Sequence, residues 1–341
     1  MHPKAGKMNL RSNRPKLYII FVLVVFLFLT LIIIASKQEP STLTYKDAVQ
    51  AYGYYYSSDQ TGNFEIYMGQ NEGKPKQITS DSRYDSWWPR ISPDESRLIF
   101  YRTPKGVHDQ DYSKTSLWLM DTSSGGHPTQ IIANNAFGWH QHGHAEWSPN
   151  GTKLVMFAGT KINPQLWLTD ANGRDPKKIT NHGGVNLDPS WSPDGTKIVY
   201  IACPNNVCLP SDQEVYTIET KTGSRSRITS DDIRDQDPYF SHDGTEIAFL
   251  SQMTGASRSK PAGVWEIRIQ KKDGSIDTTK FGQVTSLPTW SSDGRWLYTH
   301  QLVYGDKSKF NLVRINRNDL QSADLLHNTV NNEEYISLPI D

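Results

Sequence analysis

The chain has few cysteines, no excess of charge and few long hydrophobic runs. Its 341 residues include two cysteines, too few to staple a fold of this size. The 36 Lys and Arg residues balance 36 Asp and Glu residues, so no overall positive charge attracts the protein to nucleic acid. Neither a G-x-S-x-G hydrolase elbow nor a C-x-x-C motif occurs. These absences argue against nucleic-acid binding, serine hydrolase chemistry and thiol redox chemistry.

One long hydrophobic run, LYIIFVLVVFLFLTLIIIA, begins at Leu17. Its nineteen residues would extend about 28 Å as a helix, which is enough to cross the hydrocarbon core of a bilayer. We predict a transmembrane signal-anchor over residues 17–36. The alternative is a cleaved signal peptide, but that would have a shorter apolar region ending in a small-x-small site.

The charges around this run predict its orientation. Five basic residues and no acidic residue precede it: Lys4, Lys7, Arg11, Arg14 and Lys16. The positive-inside rule keeps such a segment in the cytoplasm. We therefore expect a cytoplasmic tail over 1–16, a polar stalk over 37–49, and a periplasmic or extracellular domain over 50–341. Beyond residue 36 the chain holds 31 basic and 36 acidic residues, a net charge of −5.

The two cysteines fit an extracytoplasmic location. Cys203 and Cys208 flank Pro-Asn-Asn, which is typical of a turn. An oxidising compartment permits a disulfide, so we predict a loop disulfide between them. The alternative is a redox or metal role.

A hairpin motif recurs five times after residue 86. Its copies, which begin at Trp87, His144, Asp188, Asp237 and Leu287, read as a strand, a tight turn and a second strand. The turn Ser-Pro-Asp-Gly uses Pro for its fixed φ, and Asp-Gly or Asn-Gly for positions that need a positive φ. An alternating third strand follows each hairpin, and a short fourth strand closes most units. Four antiparallel strands per unit predict the blades of a β-propeller.

The spacing of the repeats predicts six blades. The turn position recurs every 44 to 56 residues, and residues 50–341 provide about 49 residues for each of six blades. The sixth blade is split, because the segments from Tyr52 and Asn63 and the segment that ends at Thr79 supply only its outer three strands. Its innermost strand, YISLPID over Tyr335–Asp341, matches VTSLPTW from Val284. We predict an all-β, six-bladed propeller that closes by pairing the two ends of the domain.

The consensus W-S-P-D-G-x-x-I-x-F, followed by L/I-Y/W-x-x-D, resembles the WD40-like (PD40) repeats of the TolB-like six-bladed β-propellers. The resemblance covers nearly all of residues 50–341. It implies the TolB-like fold. Propellers with these repeats serve as binding scaffolds, as peptidase gating domains and as polysaccharide lyases, so the resemblance leaves function open.

The innermost strands of a propeller line its central channel, and the repeat shows which side chains share one depth. One position is occupied by Trp88, His144, Asp188, Asp237, Leu287 and Leu338; the position two residues earlier is occupied by Ser86, His142, Asn186, Asp235, Thr285 and Ile336. Residues two apart on a strand point to the same face. We therefore expect a polar side and an apolar side at the channel mouth, with Trp88, His142, His144, Asp188, Asp235 and Asp237 as candidate ligand-binding residues.

Two of these residues suggest a metal site. His142 and His144, with carboxylates on adjacent blades, form a nitrogen-and-oxygen set suited to a divalent metal. The segment GWHQHGHAEWSPNG resembles part of the oligogalacturonate-lyase propellers, whose histidines bind such a metal, and this implies metal ligation only for His142 and His144. The alternatives are a hydrogen-bonded histidine pair without a cofactor, and a structural role for Asp188 and Asp237.

These patterns predict a membrane-anchored, extracytoplasmic propeller that acts as a binding scaffold of the cell envelope. We expect a protein or saccharide ligand at the channel mouth, contact with the membrane through residues 17–35, and no nucleic-acid partner. We expect no cofactor in this scaffold. The alternative is a metal-dependent enzyme of polysaccharide-lyase type that uses His142 and His144.

Overall fold

Short segments of alternating apolar and polar residues form strands throughout the part of the chain that a computed structural model describes. The described residues are 53–69, 74–123, 126–205, 208–255, 263–280, 284–303, 309–326 and 333–338. The predicted tail, anchor and stalk over 1–49 lie outside them. Within these ranges, no helix has both the length and the apolar character that a membrane crossing requires.

The strands are numbered in chain order. They are β1 (Tyr54–Ser58), β2 (Glu65–Gly69), β3 (Lys76–Gln77), β4 (Tyr84–Ile91), β5 (Arg97–Pro104), β6 (Ser116–Asp121), β7 (Thr129–Ile132), β8 (Gln141–Trp147), β9 (Lys153–Gly159), β10 (Pro164–Asp170), β11 (Lys177–Lys178), β12 (Asn186–Trp191), β13 (Lys197–Ala202), β14 (Glu214–Glu219), β15 (Arg225–Arg227), β16 (Asp235–Phe240), β17 (Ile247–Thr254), β18 (Val264–Gln270), β19 (Ile276–Thr278), β20 (Val284–Trp290), β21 (Trp296–Val303), β22 (Lys309–Asn316), β23 (Asp319–Leu325) and β24 (Glu333–Ser337). Short 3-10 helices lie at Tyr112–Lys114, Ala136–Gly138 and Pro210–Asp212.

These strands form six four-stranded antiparallel sheets, which are the blades of the propeller. Five sheets follow the chain, as β4–β7, β8–β11, β12–β15, β16–β19 and β20–β23, and the sixth has the order β24-β1-β2-β3. The prediction of an all-β, six-bladed propeller is confirmed. The split sixth blade is also confirmed, because β24 supplies its innermost strand and pairs with β1.

The closing strand differs from the predicted register by three residues. Tyr335, rather than Leu338, has the left-handed backbone that marks the channel position of the other inner strands. Its N–H donates to Nε2 of His300, and its ring lies 5.2 Å from Trp88. The shared letters Ser-Leu-Pro suggested the other alignment, but packing of the tyrosine ring against the neighbouring blades determines the register.

The Ser-Pro-Asp-Gly turns are held by their own side chains. In the β12–β13 turn, Ser192 Oγ donates to Asp194 Oδ1 at 2.6 Å, and Lys197 N–H donates to Ser192 Oγ at 2.8 Å. Gly195 has φ +68°, a region that glycine enters without a Cβ clash. Asp194 remains outside the left-handed region and caps the turn through its carboxylate, which differs from the expectation that both residues adopt a positive φ.

The blades are joined by apolar packing and by tryptophan side chains. Trp147 Nε1 donates to Arg90 O in the preceding blade at 3.0 Å, and Trp290 Nε1 donates to Tyr239 O at 3.3 Å. Buried side chains such as Phe157 and Tyr200 pack between adjacent sheets. In the loop after β13, a disulfide joins Cys203 to Cys208, whose Cα atoms lie 5.6 Å apart.

Candidate functional site at the channel mouth

Each innermost strand has one residue in the left-handed backbone region at the same point of the repeat. The six residues have φ between 36° and 57°: Trp88, His144, Asp188, Asp237, Leu287 and Tyr335. We call them the channel ring. In all six blades the pairing with the second strand shifts register here. This backbone costs a non-glycine residue about 1–2 kcal/mol, and such strain is common at functional sites.

The bulge breaks the alternation of side chains along the inner strand. A residue two positions before a channel-ring residue therefore does not share its direction, contrary to the expectation from a period of two. Asn186 shows the consequence, because its Nδ2 donates to Pro164 O of the preceding blade at 3.4 Å, away from the channel mouth. The predicted convergence of two residues per strand holds only for the channel ring itself.

His142 lies inside the protein rather than at the mouth. It is fully buried, and its Nε2 lies 3.3 Å from Ala133 O. Its ring lies near Tyr101 and Trp139, with centroid distances of 5.7 and 6.1 Å. Burial lowers the pKa of His142 to about 4. The structure therefore does not place this histidine with His144 in one candidate metal site.

Asp235 is also enclosed, between its own blade and the preceding one. Its Oδ1 accepts a hydrogen bond from Ser251 Oγ at 2.6 Å, and its Oδ2 accepts one from Thr229 Oγ1 at 2.7 Å. Burial raises the pKa of Asp235 to about 7. Its carboxylate lies within 4.8 Å of ligand atoms of Glu214 and Asp231. Those two acids are paired with Arg227 and Arg268, so this group is an internal charge network.

His144 is the centre of the polar side of the channel ring. Its Nδ1 lies 2.6 Å from Asp188 Oδ1, and its Nε2 lies 2.7 Å from the Tyr112 hydroxyl. A tautomer in which Nδ1 donates to the carboxylate leaves Nε2 to accept from the hydroxyl. Trp88 stacks on the imidazole at a centroid distance of 4.0 Å. Both ring nitrogens and one ring face are therefore already in use.

The two aspartates link successive blades. Asp188 Oδ2 accepts from the Asp237 N–H at 3.4 Å, and Asp237 Oδ2 accepts from the Leu287 N–H at 3.2 Å. Burial, followed by the nearby Asp188 charge, raises the pKa of Asp237 to about 7. The carboxylates of Asp188 and Asp237 thus have the structural role that was considered for them, because they bond to the next blade. The same carboxylates also lie at the candidate binding site.

His144, Asp188 and Asp237 are also the channel-ring residues that could hold a metal. One ligand atom of each lies within 4.8 Å of the others, and a nitrogen with two carboxylates suits a divalent cation. A metal at Nδ1 would replace the hydrogen bond to Asp188. The residues that could hold a divalent cation therefore include His144 but not His142.

A second polar group on the mouth was not predicted. His108 Nδ1 lies 3.1 Å from Asp109 Oδ1, and its Nε2 lies 3.5 Å from Glu334 Oε2. The Tyr335 hydroxyl donates to Asp109 Oδ2. Burial would raise the pKa of Asp109, but the hydrogen bond and the charge of His108 outweigh it and lower that pKa. His108 and Asp109 lie in the loop between β5 and β6, outside the repeated motif, so only the register of Tyr335 could have indicated this group.

One cavity of about 840 Å³ is lined by this second group and by five residues of the channel ring: Trp88, His144, Asp188, Asp237 and Tyr335. All six blades contribute to it. Much of its wall is aromatic, from Phe64, Tyr112, Phe157, Trp265 and Phe310. Charged groups on the wall include the carboxylates of Asp109, Asp188, Asp237 and Glu334 and the ammonium group of Lys161. A concave, mainly apolar site with a few converging polar groups is typical of ligand binding.

The opposite end of the channel is nearly filled. Its cavity measures about 70 Å³ and is lined by Ile336 and Leu338, which were expected at the mouth. On the wall of this small cavity, Arg90 forms a buried ion pair with Glu146, and its guanidinium carbon lies 4.2 Å from the centre of the Trp88 ring. The channel is therefore open for binding at one end.

Comparison with known proteins shows the fold. No protein-family model matches the chain. The propeller aligns with TolB from Acinetobacter baumannii at 18% identity and a TM-score of 0.64, over 86% of this chain and 68% of that one. It aligns with a TolB-type protein from Agrobacterium tumefaciens at 17% identity and a TM-score of 0.57, over 81% and 88% of the two chains. The chain thus has a TolB-like propeller fold.

A third similar structure comes from a protein complex. The nidogen/laminin complex contains a chain that aligns at 10% identity with a TM-score of 0.61, over 84% of this chain and 97% of that one. At such identities the similarity describes the fold, and function depends on the site.

Proposed function

We propose that this protein is a membrane-anchored, extracytoplasmic scaffold that binds a protein partner of the cell envelope at the channel mouth. The observation that supports it most strongly is the cavity of about 840 Å³ to which all six blades contribute. The TolB-like fold and the fold shared with a chain of the nidogen/laminin complex agree with a protein-binding propeller. The hydrophobic run at 17–36 would provide the anchor.

Co-purification from membranes tests the binding site. Gln141 and Gln236 line the cavity, and replacing both with Trp would obstruct it. Full-length native chain should retain an envelope protein that the Gln141→Trp/Gln236→Trp variant loses. The matched control is Lys76→Trp, at an exposed position of the outermost strand β3. Equal recovery of the partner with both variants would refute the proposed site.

The membrane topology needs its own test. Single cysteines introduced at Ser12 and at Ser123, in a chain whose Cys203 and Cys208 are replaced by Ser, report the two sides of the membrane. A membrane-impermeant maleimide should label the cysteine at 123 in intact cells, and the cysteine at 12 only after lysis. Labelling of both positions, or of the cysteine at 12 alone, would contradict the proposed orientation.

A metal-dependent enzyme of polysaccharide-lyase type is the second candidate. The group of His144, Asp188 and Asp237 favours it, because these residues could hold a divalent cation that stabilises a developing negative charge on a substrate. The four cavity carboxylates count against it, since they would repel an anionic uronate polymer.

Metal analysis separates the two candidates. For the enzyme, full-length chain should carry a stoichiometric divalent metal, retain it in His142→Ala, lose it in Asp188→Asn/Asp237→Asn, and release unsaturated products from acidic polysaccharides. A chain that retains no metal after dialysis against each ion would exclude this candidate and leave the scaffold.

A further inference from the structure

The mouth cavity carries an excess of negative charge on two facing walls. Asp188 and Asp237 lie on the channel ring, and Asp109 and Glu334 lie beside Tyr335. Lys161 is the one ammonium group among the described lining residues, and the His108 imidazole lies between Asp109 and Glu334. The guanidinium group of Arg234 lies near the two aspartates, but it donates to Gln213 Oε1 at 2.8 Å. A ligand that enters this cavity therefore meets mainly carboxylates.

Glu334 is a largely buried acceptor in this wall. Its side chain is 9% exposed, and its nearest described cationic partner is His108 Nε2 at 3.5 Å. That nitrogen itself lacks a hydrogen-bond partner among the described residues. An incoming N–H donor can pair with the Glu334 carboxylate, whereas an incoming oxygen anion would be repelled by it.

The shape of the cavity favours a side chain on an extended segment over a free ion. About 840 Å³ is far more than one small cation fills. The aromatic rings of Phe157 and Phe310 lie on the wall together with the carboxylates. Arginine and lysine match this combination, because they pack an apolar stem against such rings and present a charged head to the acids.

We propose that the mouth cavity binds an arginine or lysine side chain, carried on an extended segment of the protein partner. The carboxylates of Asp237 and Glu334 receive the charged head. This inference rests on the proposed scaffold function and specifies the chemistry of its partner. The negative net charge of the chain beyond residue 36 would also steer a basic segment toward the protein.

Short labelled peptides test the inference on the full-length chain in detergent. The probe is a capped Gly-Ser peptide with two central Arg residues, and the comparisons replace both with Lys, Gln or Glu. Fluorescence anisotropy should show binding of the Arg and Lys peptides at least about tenfold tighter than that of the Gln peptide, which is about 1.4 kcal/mol. The Glu peptide should bind weakest.

Substitutions locate the site. Asp237→Asn/Glu334→Gln should weaken binding of the Arg peptide at least about tenfold, whereas Asp194→Asn in the exposed turn should leave it unchanged. Thermal unfolding of each variant establishes that it is folded. Equal affinity for the Arg and Gln peptides, unchanged affinity in the double variant, or no binding of the Arg peptide at about 1 mM would each overturn the inference.

The same experiments distinguish this inference from the proposed scaffold function on which it rests. A partner that is lost on obstructing the mouth, yet binds equally well after its basic residues are replaced by Gln, would overturn the inference and leave the scaffold proposal standing. Retention of the partner by the obstructed variant would refute the scaffold proposal itself.

Discussion

The indole of Trp88 lies flat on the imidazole of His144, with ring centroids 4.0 Å apart and planes 4° from parallel. The imidazole is fixed by Asp188 and Tyr112, and Arg90 lies over the indole. Rings from two adjacent blades are thereby held in one orientation at the floor of the cavity. The mouth is built as a preorganised surface, and such a surface binds with a smaller loss of conformational entropy.

Removal of the His144 ring should destabilise the protein. His144→Ala loses the stacking contact and leaves Asp188 Oδ1 and the Tyr112 hydroxyl without their histidine partner. We expect the free energy of unfolding in urea, followed by circular dichroism, to fall by about 2–3 kcal/mol. His140→Ala, at an exposed position nearby, should change it by less than about 0.5 kcal/mol. Equal effects of the two substitutions would contradict the described network.

Asp237→Asn should stabilise the protein at pH 8 but not at pH 4. Burial and the Asp188 charge raise the pKa of Asp237 to about 7 in the folded chain, against about 3.9 for an unfolded aspartate. Because the folded chain holds this proton more tightly than the unfolded chain, the protonated carboxyl contributes its full stabilisation below pH 4. That contribution is lost as the pH rises toward 7. Asparagine does not ionise, and its amide can donate to Asp188. We expect a gain of about 1–3 kcal/mol at pH 8 in thermal unfolding.

Asp194→Asn provides the control for this pH profile. The hydrogen bond from Ser192 lowers the pKa of Asp194, and Asn150 fills the equivalent position of the β8–β9 turn. Asparagine should therefore hold the turn without any gain at pH 8. A gain of similar size in both variants, or none in Asp237→Asn, would refute the raised pKa at the mouth.

The Arg90–Glu146 pair should be costly to break from one side. Arg90→Met leaves the Glu146 carboxylate buried without its cation, and this should lower the free energy of unfolding by about 3–5 kcal/mol. Arg90→Met/Glu146→Leu should recover most of the loss. Arg83→Met removes an exposed pair with Asp81 and should cost less than about 1 kcal/mol. A double variant as unstable as the sum of its single variants would show that the two residues are not coupled.

Loss of the closing strand should open the propeller. A chain that ends at Asn332 lacks β24, so β1 becomes an unpaired edge and the N–H of Ile91 loses Ser337 Oγ as its acceptor. We expect the melting temperature to fall by more than about 10 °C and aggregation to increase. Removal of residues 339–341 alone is the control. A synthetic peptide spanning 331–341 should restore stability. An unchanged melting temperature in the shortened chain, together with no effect of the peptide, would contradict closure by β24.

The sequence predicted the propeller because its information is local and repeated. Each Ser-Pro-Asp-Gly turn and each alternating strand carries the same signal, and the spacing of the repeats gives the number of blades. The channel position of Trp88, His144, Asp188 and Asp237 was predicted for the same reason. The placement errors at His142 and Asp235 have one cause. A strand was assumed to alternate regularly, whereas the left-handed residue shifts the alternation, so the residue two positions before it faces away from the channel mouth.

The remaining part of the site depends on contacts that are distant in sequence. Asp109 meets Tyr335 across more than two hundred residues, and His108 meets Glu334 across a similar distance. Neither contact leaves a pattern in its own segment, since the loop between β5 and β6 that holds His108 and Asp109 lies outside the repeated motif. Tertiary packing also determines the register of the closing strand. Alignment of the short Ser-Leu-Pro segments had assigned the channel position to Leu338 instead of Tyr335.

The most direct measurement of the central claim is photocrosslinking in intact cells, with a photoreactive residue introduced singly along the full-length chain. Gln110 and Lys161 are exposed at the mouth, and Asn150 and Asp194 lie in turns at the other end of the channel. The account predicts one crosslinked envelope protein from both mouth positions and from neither turn. Crosslinks that form from the turns and not from the mouth would show that the partner binds elsewhere.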